Sequence, residues 1–145
     1  MAANVVDKKS IDNAKAKIFA GSKTRGFIIL GYAPGSMTNI VLQTQMEDGT
    51  VENLVSKLDD SQVQYALIRI PDKKDLTDTV RDVMVAWAGP KVKAVEKSKK
   101  KTHTGYMKEV LAPFHADLEA ISKANFTEAV LKDRSNPLSG SHVID

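Results

Sequence analysis

The sequence contains no cysteine, which excludes a disulfide framework, a thiolate nucleophile and a metal site with thiolate ligands. Aromatic residues make up only 6% of the chain, with a single tryptophan among them. No apolar run approaches the roughly 20 residues that a helix needs to cross a bilayer. The N-terminus also lacks the long apolar core of a signal peptide. We therefore expect a soluble, cytoplasmic protein.

Motifs that would indicate an enzyme are missing as well. The chain has no phosphate-binding GxxxxGK[ST] signature. Its three histidines, His103, His115 and His142, have no mutual spacing that suggests a metal site or a catalytic pair. Nothing singles out a nucleophile together with its base. We expect a protein that is not an enzyme and needs neither a metal nor another cofactor.

What the chain does contain is the composition of one globular domain. Its 145 residues are too few for two comfortable domains, and 42% of them are apolar while 27% are charged. The last stretch is rich in serine, proline and glycine, and the periodic pattern fades before it. We expect a domain over residues 1–134 and a flexible C-terminal tail over residues 135–145.

Apolar runs of strand length alternate with amphipathic segments along the chain. A predicted first helix begins after Asp7, a plausible N-cap, and Pro113 should bend or end a later one. The pattern predicts strands at 26–32, 39–47, 63–71 and 82–88, a short edge strand at 118–122, and helices at 7–20, 51–58, 104–114 and 126–131. This order predicts an α/β fold, with a mixed sheet of about five strands flanked by helices on both faces.

Basic residues are concentrated in one part of the chain. Seven lysines lie between Lys91 and Lys108, directly after a predicted core strand. Arg81 precedes that strand, and Trp87 lies near its end. Such patches steer association with acidic partners in a salt-sensitive way. The run 97–101 has three interpretations: a solvated surface, a nucleic-acid or nuclear-import patch, or part of a protein-binding surface.

An ordered set of short motifs resembles the actin-depolymerising-factor homology domain, and within that family the coactosins. The set comprises Val6-Asp7-Lys8, Tyr65-Ala-Leu-Ile-Arg69, Arg81 six positions before Trp87, Trp87-x-Gly89-x-x-Val92, Met107-Lys-Glu-Val110, Phe114 and Val130-Leu-Lys132. The resemblance covers the whole domain and is densest between residues 63 and 132. It implies binding to the sides of actin filaments, modulation of filament dynamics or capping, and a cytoplasmic, cytoskeletal location.

The resemblance also implies where the filament is bound. It places Arg81 on a filament-facing strand, Lys73 and Lys74 on a projecting loop, and Lys132 and Arg134 near the end of the last helix. The lysine run and the helix after it complete the expected contact set with Lys99, Lys100, Lys101 and Lys108. In this hypothesis Arg81 supplies specificity through its planar guanidinium, while the lysines supply encounter rate.

Alternatives remain open at this point. Arg81 could instead form a local ion pair with Asp78 or Asp82. A depolymerising factor would also bind monomeric actin and sever filaments, but here most lysines precede Thr104 and the regulatory serine after the initiator is missing. We therefore expect little or no monomer binding.

A nucleic-acid-binding module is the alternative of another class, although aromatic residues for base stacking are scarce near the lysines. Acidic phosphoinositides are a further conceivable partner, no specific nucleic acid is expected, and we expect a monomer.

Overall fold

A computed structural model of the protein describes residues 2–145. Over this range it contains one mixed sheet and five helices. The strands are β1 (Asn4–Val5), β2 (Gly26–Tyr32), β3 (Asn39–Glu47), β4 (Val63–Lys74), β5 (Thr77–Ala88), β6 (Ala116–Ala120) and β7 (Val143–Ile144). The helices are α1 (Lys8–Ile18), α2 (Val51–Lys57), α3 (Ala94–Lys101), α4 (Thr104–Leu111) and α5 (Glu128–Arg134).

Local signals in the sequence set the ends of the helices. The Asp7 carboxylate accepts a hydrogen bond from the Ser10 backbone N–H at 3.2 Å and begins α1 as predicted. Thr50 and Asn53 form a reciprocal capping box at the start of α2, which satisfies two donors of the first turn. α4 ends two residues before Pro113, which cannot donate a backbone hydrogen bond.

The sheet has the order β1-β3-β2-β4-β5-β6-β7. Strands β3, β2, β4 and β5 are antiparallel neighbours, while β6 and β7 continue the sheet in parallel. Helices α2 and α5 pack on one face, around Trp87 and Ile68, and α1 and α4 pack on the other, around Tyr65 and Met84. Because both faces are covered, every residue of β2 is buried. The predicted fold class is confirmed.

The prediction was wrong in several details. Helix α3, which carries the lysine run, was not among the predicted helices. The sheet has seven strands where about five were expected, because the two-residue strands β1 and β7 leave no periodic signal. Strand β6 is not an edge strand, since β7 pairs with Glu119 and Ala120. The predicted strands 63–71 and 82–88 extend to Lys74 and back to Thr77, so a tight turn replaces the predicted charged loop between them.

The C-terminal segment was predicted to be a flexible tail over residues 135–145. Its flexibility stays a prediction, but the end of the segment is part of the sheet. Ile144 is fully buried in the core beneath α5, and the Ile121 backbone N–H donates to its carbonyl at 2.9 Å. The packed structure therefore extends beyond residue 134.

Candidate functional site

The hairpin of β4 and β5 extends beyond the rest of the sheet. Strand β2 pairs with β4 only as far as Arg69, and β6 pairs with β5 only from Val83 onward. Residues 70–81 therefore pair only with each other and form a two-stranded ribbon. We call this segment, together with its turn, the hairpin ribbon.

The tip of the hairpin ribbon combines a strained turn with an exposed leucine. Asp75 and Leu76 both have positive φ, at 51° and 70°. Two such residues in a row suit the tight hairpin turns that match strand twist, but these positions favour asparagine, aspartate or glycine rather than leucine. The Leu76 side chain is 96% exposed. An apolar residue is thus held at a conformational cost in contact with water.

Lys73 and Lys74 flank the tip and are exposed. The Lys73 ammonium lies 3.7 Å from the Asp78 carboxylate, with both side chains largely in solvent. Pairs of this kind contribute about 0–1 kcal/mol, so the lysine is easily released to another anion. The tip therefore presents two cations that a partner can reach.

Arg81 lies at the base of the hairpin ribbon and is only 21% exposed at its side chain. Its guanidinium contacts the Asp72 carboxylate at 2.7 Å and donates to the Lys132 carbonyl at 2.9 Å and the Ser135 hydroxyl at 2.8 Å. The guanidinium thus joins the hairpin ribbon to the end of α5. The alternative prediction from the sequence was an ion pair between Arg81 and Asp78 or Asp82. The structure pairs Arg81 with Asp72 instead.

The Arg81 contact has a measurable consequence for Asp72. Burial alone would raise the pKa of the Asp72 carboxyl. The Lys73 backbone N–H and the Arg81 guanidinium outweigh burial, so the pKa lies below its ordinary value. The charge of Lys132, whose backbone carbonyl accepts a hydrogen bond from Arg81, lowers it further. The structure brings the predicted residues of the hairpin and of α5 together at one end of the molecule.

Arg134 belongs to the same helix but is tied to the C-terminal segment. It forms an ion pair with the neighbouring Asp133 and donates from Nε to the Val143 carbonyl at 3.2 Å. Its side chain remains about one-third exposed. Arg134 therefore supports β7 while leaving part of its guanidinium accessible.

The lysines of α3 and α4 differ from one another. Lys99 and Lys101 are exposed. Lys100 is buried: its ammonium contacts Glu96 at 2.8 Å and lies 4.1 Å from the centre of the Tyr32 ring. Lys108 forms a half-exposed ion pair with Asp117 at 3.0 Å. The sequence pattern could not separate these roles, because it does not show which side of a helix meets the sheet.

Lys100 is part of a buried polar cluster at the junction of α3 and α4. The Tyr32 hydroxyl contacts the Tyr65 hydroxyl at 2.9 Å and His103 Nδ1 at 2.7 Å. The Tyr65 hydroxyl also reaches the Lys100 carbonyl at 3.1 Å. Burial raises the pKa of both tyrosines, which keeps the hydroxyls protonated. The cluster fixes α3 on the sheet and makes Lys100 a structural residue.

The predicted contact set therefore separates into two groups and one residue apart. Lys73, Lys74, Arg81, Lys132 and Arg134 lie at the hairpin end. Lys99, Lys100 and Lys101 lie near the start of β4, where Tyr65 meets α3. Lys108 lies on α4 and is paired with Asp117 of β6. Between Val63 and Lys74 the strand covers roughly 35 Å at about 3.3 Å per residue. The structure does not bring the two groups into one small site.

Sequence reasoning also missed two ion pairs that support these elements. Arg69 holds Asp82 through two parallel contacts of 2.7 and 2.9 Å in the interior. Arg25 reaches Glu128 of α5 at 2.6 Å. The sequence signal for the first pair is a cation within an apolar strand followed by an aspartate in the next strand. The second pair joins residues 103 positions apart and leaves no local signal.

Within residues 2–145, no three or more His, Asp or Glu side chains are grouped so that they could hold a metal ion. None of the helices in this part of the chain combines the length and hydrophobicity that a membrane crossing requires.

Solved structures of other proteins share this architecture. The chain resembles the human coactosin-like protein, with 17% identity and a TM-score of 0.77 over 90% of this chain and 95% of that one. Coactosin from Entamoeba histolytica shares 18% identity, with a TM-score of 0.74 over 90% of this chain and 91% of that one. A cofilin from Streptomyces griseoflavus shares 12% identity, with a TM-score of 0.74 over 93% of this chain and 98% of that one. These likenesses establish the actin-depolymerising-factor homology fold.

The sequence itself carries the family assignment. No curated protein matches the chain significantly. A family model described as cofilin/tropomyosin-type actin-binding protein nevertheless matches residues 5–136, which is nearly the whole chain. The chain therefore belongs to the cofilin/tropomyosin-type actin-binding protein family.

Proposed function

We propose that this protein binds the side of actin filaments without catalysis, in the manner of a coactosin, and so modulates filament dynamics or capping in the cytoskeleton. The observation that carries the proposal is the hairpin ribbon, which projects from the sheet with Lys73 and Lys74 at its tip. Arg81 fixes this ribbon to the end of α5, the helix that carries Lys132 and Arg134.

The physical argument rests on several weak contacts acting together. An exposed ion pair contributes only about 0–1 kcal/mol, so no single lysine of the hairpin end can hold an acidic filament. Pre-organisation reduces the entropy lost on binding, and a ribbon fixed by Arg81 is pre-organised. Arg81 thus acts as a positioning residue here, rather than as the direct source of specificity expected from the sequence.

The lysines of α3 and α4 bear on the alternative of a depolymerising factor, which would also bind monomeric actin. Two of the four expected cations have internal partners: Lys100 is buried against Glu96 and Tyr32, and Lys108 is paired with Asp117. Fewer free cations on these helices support weak monomer binding. Binding of acidic phosphoinositides stays a prediction.

Co-sedimentation with polymerised actin at about 50 and 150 mM salt tests the proposal, because exposed charge pairs are progressively screened over this range. We expect saturable pelleting of the wild type, and weaker pelleting of a Lys73→Ala/Lys74→Ala variant. Lys8→Ala/Lys9→Ala removes the same charge from two exposed neighbours at the start of α1, and serves as the matched control.

Native gel electrophoresis with monomeric actin completes the test, and we expect no shifted band. Absence of pelleting at both salt concentrations would overturn the filament proposal. A shifted monomer band together with faster filament disassembly would instead assign the protein to the depolymerising factors.

A further inference from the structure

A second concave surface lies away from the hairpin end, between α3 and the face of the sheet that carries Tyr65. It is a cleft of about 350 Å³, floored by Val63, Ala86 and Ala88 and bounded at one side by Ile121. Pockets that hold small organic ligands begin at roughly 300 Å³. We call this space the β5–α3 cleft.

The cleft exists because small residues occupy the strand positions beneath α3. Along β5, Met84, Ala86 and Ala88 face the same side, and only Met84 is large enough to fill the space to the helix layer. Ala86 lies opposite Tyr65 on one side and Glu119 on the other, so it occupies the middle of the floor. Ile121 is 43% exposed at the rim, which leaves its apolar surface open to an occupant.

The helix wall of the cleft is cationic. Lys97, Ser98, Lys101 and Thr104 line it, and within residues 2–145 neither lysine ammonium has an ion-pair partner. Lysine stems cover apolar surface while their heads stay in water, so the ammonium groups stand at the mouth. Glu119 is the one acidic side chain in the lining. Two cations against one anion, above an apolar floor, complement a molecule with an apolar body and one negative charge.

We propose that the β5–α3 cleft binds a small monoanionic amphiphile, such as a medium-chain carboxylate, with its alkyl chain on Ala86 and Ala88 and its carboxylate between Lys97 and Lys101. Neither lysine has another role in the fold, in contrast to Lys100 on the same helix. The inference is independent of filament binding, because the cleft lies apart from the hairpin ribbon.

Decanoate is the probe, titrated into the ¹⁵N-labelled full chain below its micelle concentration and followed by NMR. We expect saturable shifts confined to the backbone amides of Ala86, Ala88, Ile121 and residues 97–104. Decylammonium has the same chain with the opposite charge, and we expect it to bind at least about fivefold more weakly. Equal binding of both amphiphiles, or no saturable shift with decanoate, would overturn the proposal.

Variants that are expected to weaken decanoate binding and variants that are expected to strengthen it make the test specific. Lys97→Ala/Lys101→Ala should weaken decanoate binding roughly three- to tenfold, since each exposed charge contact contributes modestly. Glu119→Gln should strengthen it about two- to threefold by removing a repelling carboxylate. Lys93→Ala/Lys99→Ala removes the same charge from α3 and its N-cap outside the cleft, and should leave the affinity unchanged.

Ala86→Leu should abolish binding by filling the floor of the cleft. If that variant fails to fold, the lysine and glutamate variants still decide the matter. An equal loss in the Lys93/Lys99 control would show that the amphiphile responds only to the net charge of α3, and would overturn the assigned site.

Discussion

At the scale of single residues, Arg69 and Asp82 form the most deeply buried ion pair within residues 2–145. Both side chains are about nine-tenths buried, and the Arg69 guanidinium also donates to the carbonyls of Ala20 and Lys23 after α1. The hydrogen bonds with Asp82 raise the pKa of Arg69 above its already high ordinary value. Removing one partner would leave a buried charge without compensation.

We expect Asp82→Asn or Arg69→Met to lower the free energy of unfolding by about 3–5 kcal/mol, measured by urea denaturation. The double variant Arg69→Met/Asp82→Leu should recover much of that loss, because it leaves no unpaired charge. Lys17→Met is the control, since Lys17 contacts Glu47 only at 3.7 Å on the surface. Equal losses in the single variants and the double variant would contradict the argument.

Leu76 shows the reverse relation, because its backbone conformation costs stability while its apolar side chain stays exposed at the hairpin tip. A non-glycine residue in the left-handed region costs roughly 1–2 kcal/mol, and asparagine tolerates that region better than leucine. We expect Leu76→Asn to keep or raise the free energy of unfolding while weakening filament pelleting, because it removes an exposed apolar anchor from the hairpin tip. A variant that is more stable and pellets like the wild type would show that Leu76 has no part in binding.

At the scale of elements, α5 is fixed to the rest of the molecule from both ends. Arg81 contacts its C-terminal end, and Arg25 holds Glu128 in its first turn through contacts of 2.6 and 3.3 Å. The hydrogen bond from Arg25 keeps the pKa of the Glu128 carboxyl below its ordinary value of 4.5. The stabilisation is therefore fully present above that value and is lost as pH falls through the lower pKa of the folded state.

We expect the wild type to lose more stability than Glu128→Gln between about pH 6 and pH 3, because the variant has no carboxylate to protonate. Urea midpoints at several pH values measure the difference. Glu109→Gln serves as the control, since Glu109 is exposed and forms no ion pair within residues 2–145. Parallel curves for the wild type and Glu128→Gln would contradict the assigned role of Arg25.

The elements also show what the sequence could and could not predict. The long strands, the N-cap at Asp7 and the buried Trp87 follow from local periodicity and capping, and the structure confirms them. The ion-pair partner of Arg81 could be predicted only from the register between β4 and β5. Once residues 77–88 form one strand, Asp78 and Asp82 point to the opposite face from Arg81, whereas Asp72 is its diagonal neighbour across the hairpin.

Long-range pairing explains the remaining omissions. Strands β1 and β7 have two residues each and exist only because β3 and β6 offer them partners. The candidate contact residues could be named from the family motifs, but the motifs could not show that Lys100 is buried. That depends on Tyr32, which is 68 positions away and meets Lys100 only when α3 packs on the sheet.

At the scale of the whole molecule, two pairs of exposed lysines from the predicted contact set lie in distant regions of a protein whose formal net charge is only +3. Lys73 and Lys74 lie at the hairpin end, and Lys99 and Lys101 lie on α3 near the opposite end of β4. Net charge alone would make the two pairs equivalent for an acidic filament. Placement makes them different, because only the first pair stands on the ribbon that projects from the sheet.

Charge reversal separates placement from net charge. Lys73→Glu/Lys74→Glu and Lys99→Glu/Lys101→Glu each change the formal net charge by −4, from +3 to −1. We expect the hairpin variant to lose filament pelleting and the α3 variant to keep its affinity within about threefold at 150 mM salt, where charges beyond a Debye length of about 8 Å are screened. Equal losses would show that the filament responds to overall charge, and a loss confined to the α3 variant would move the contact surface to the helices.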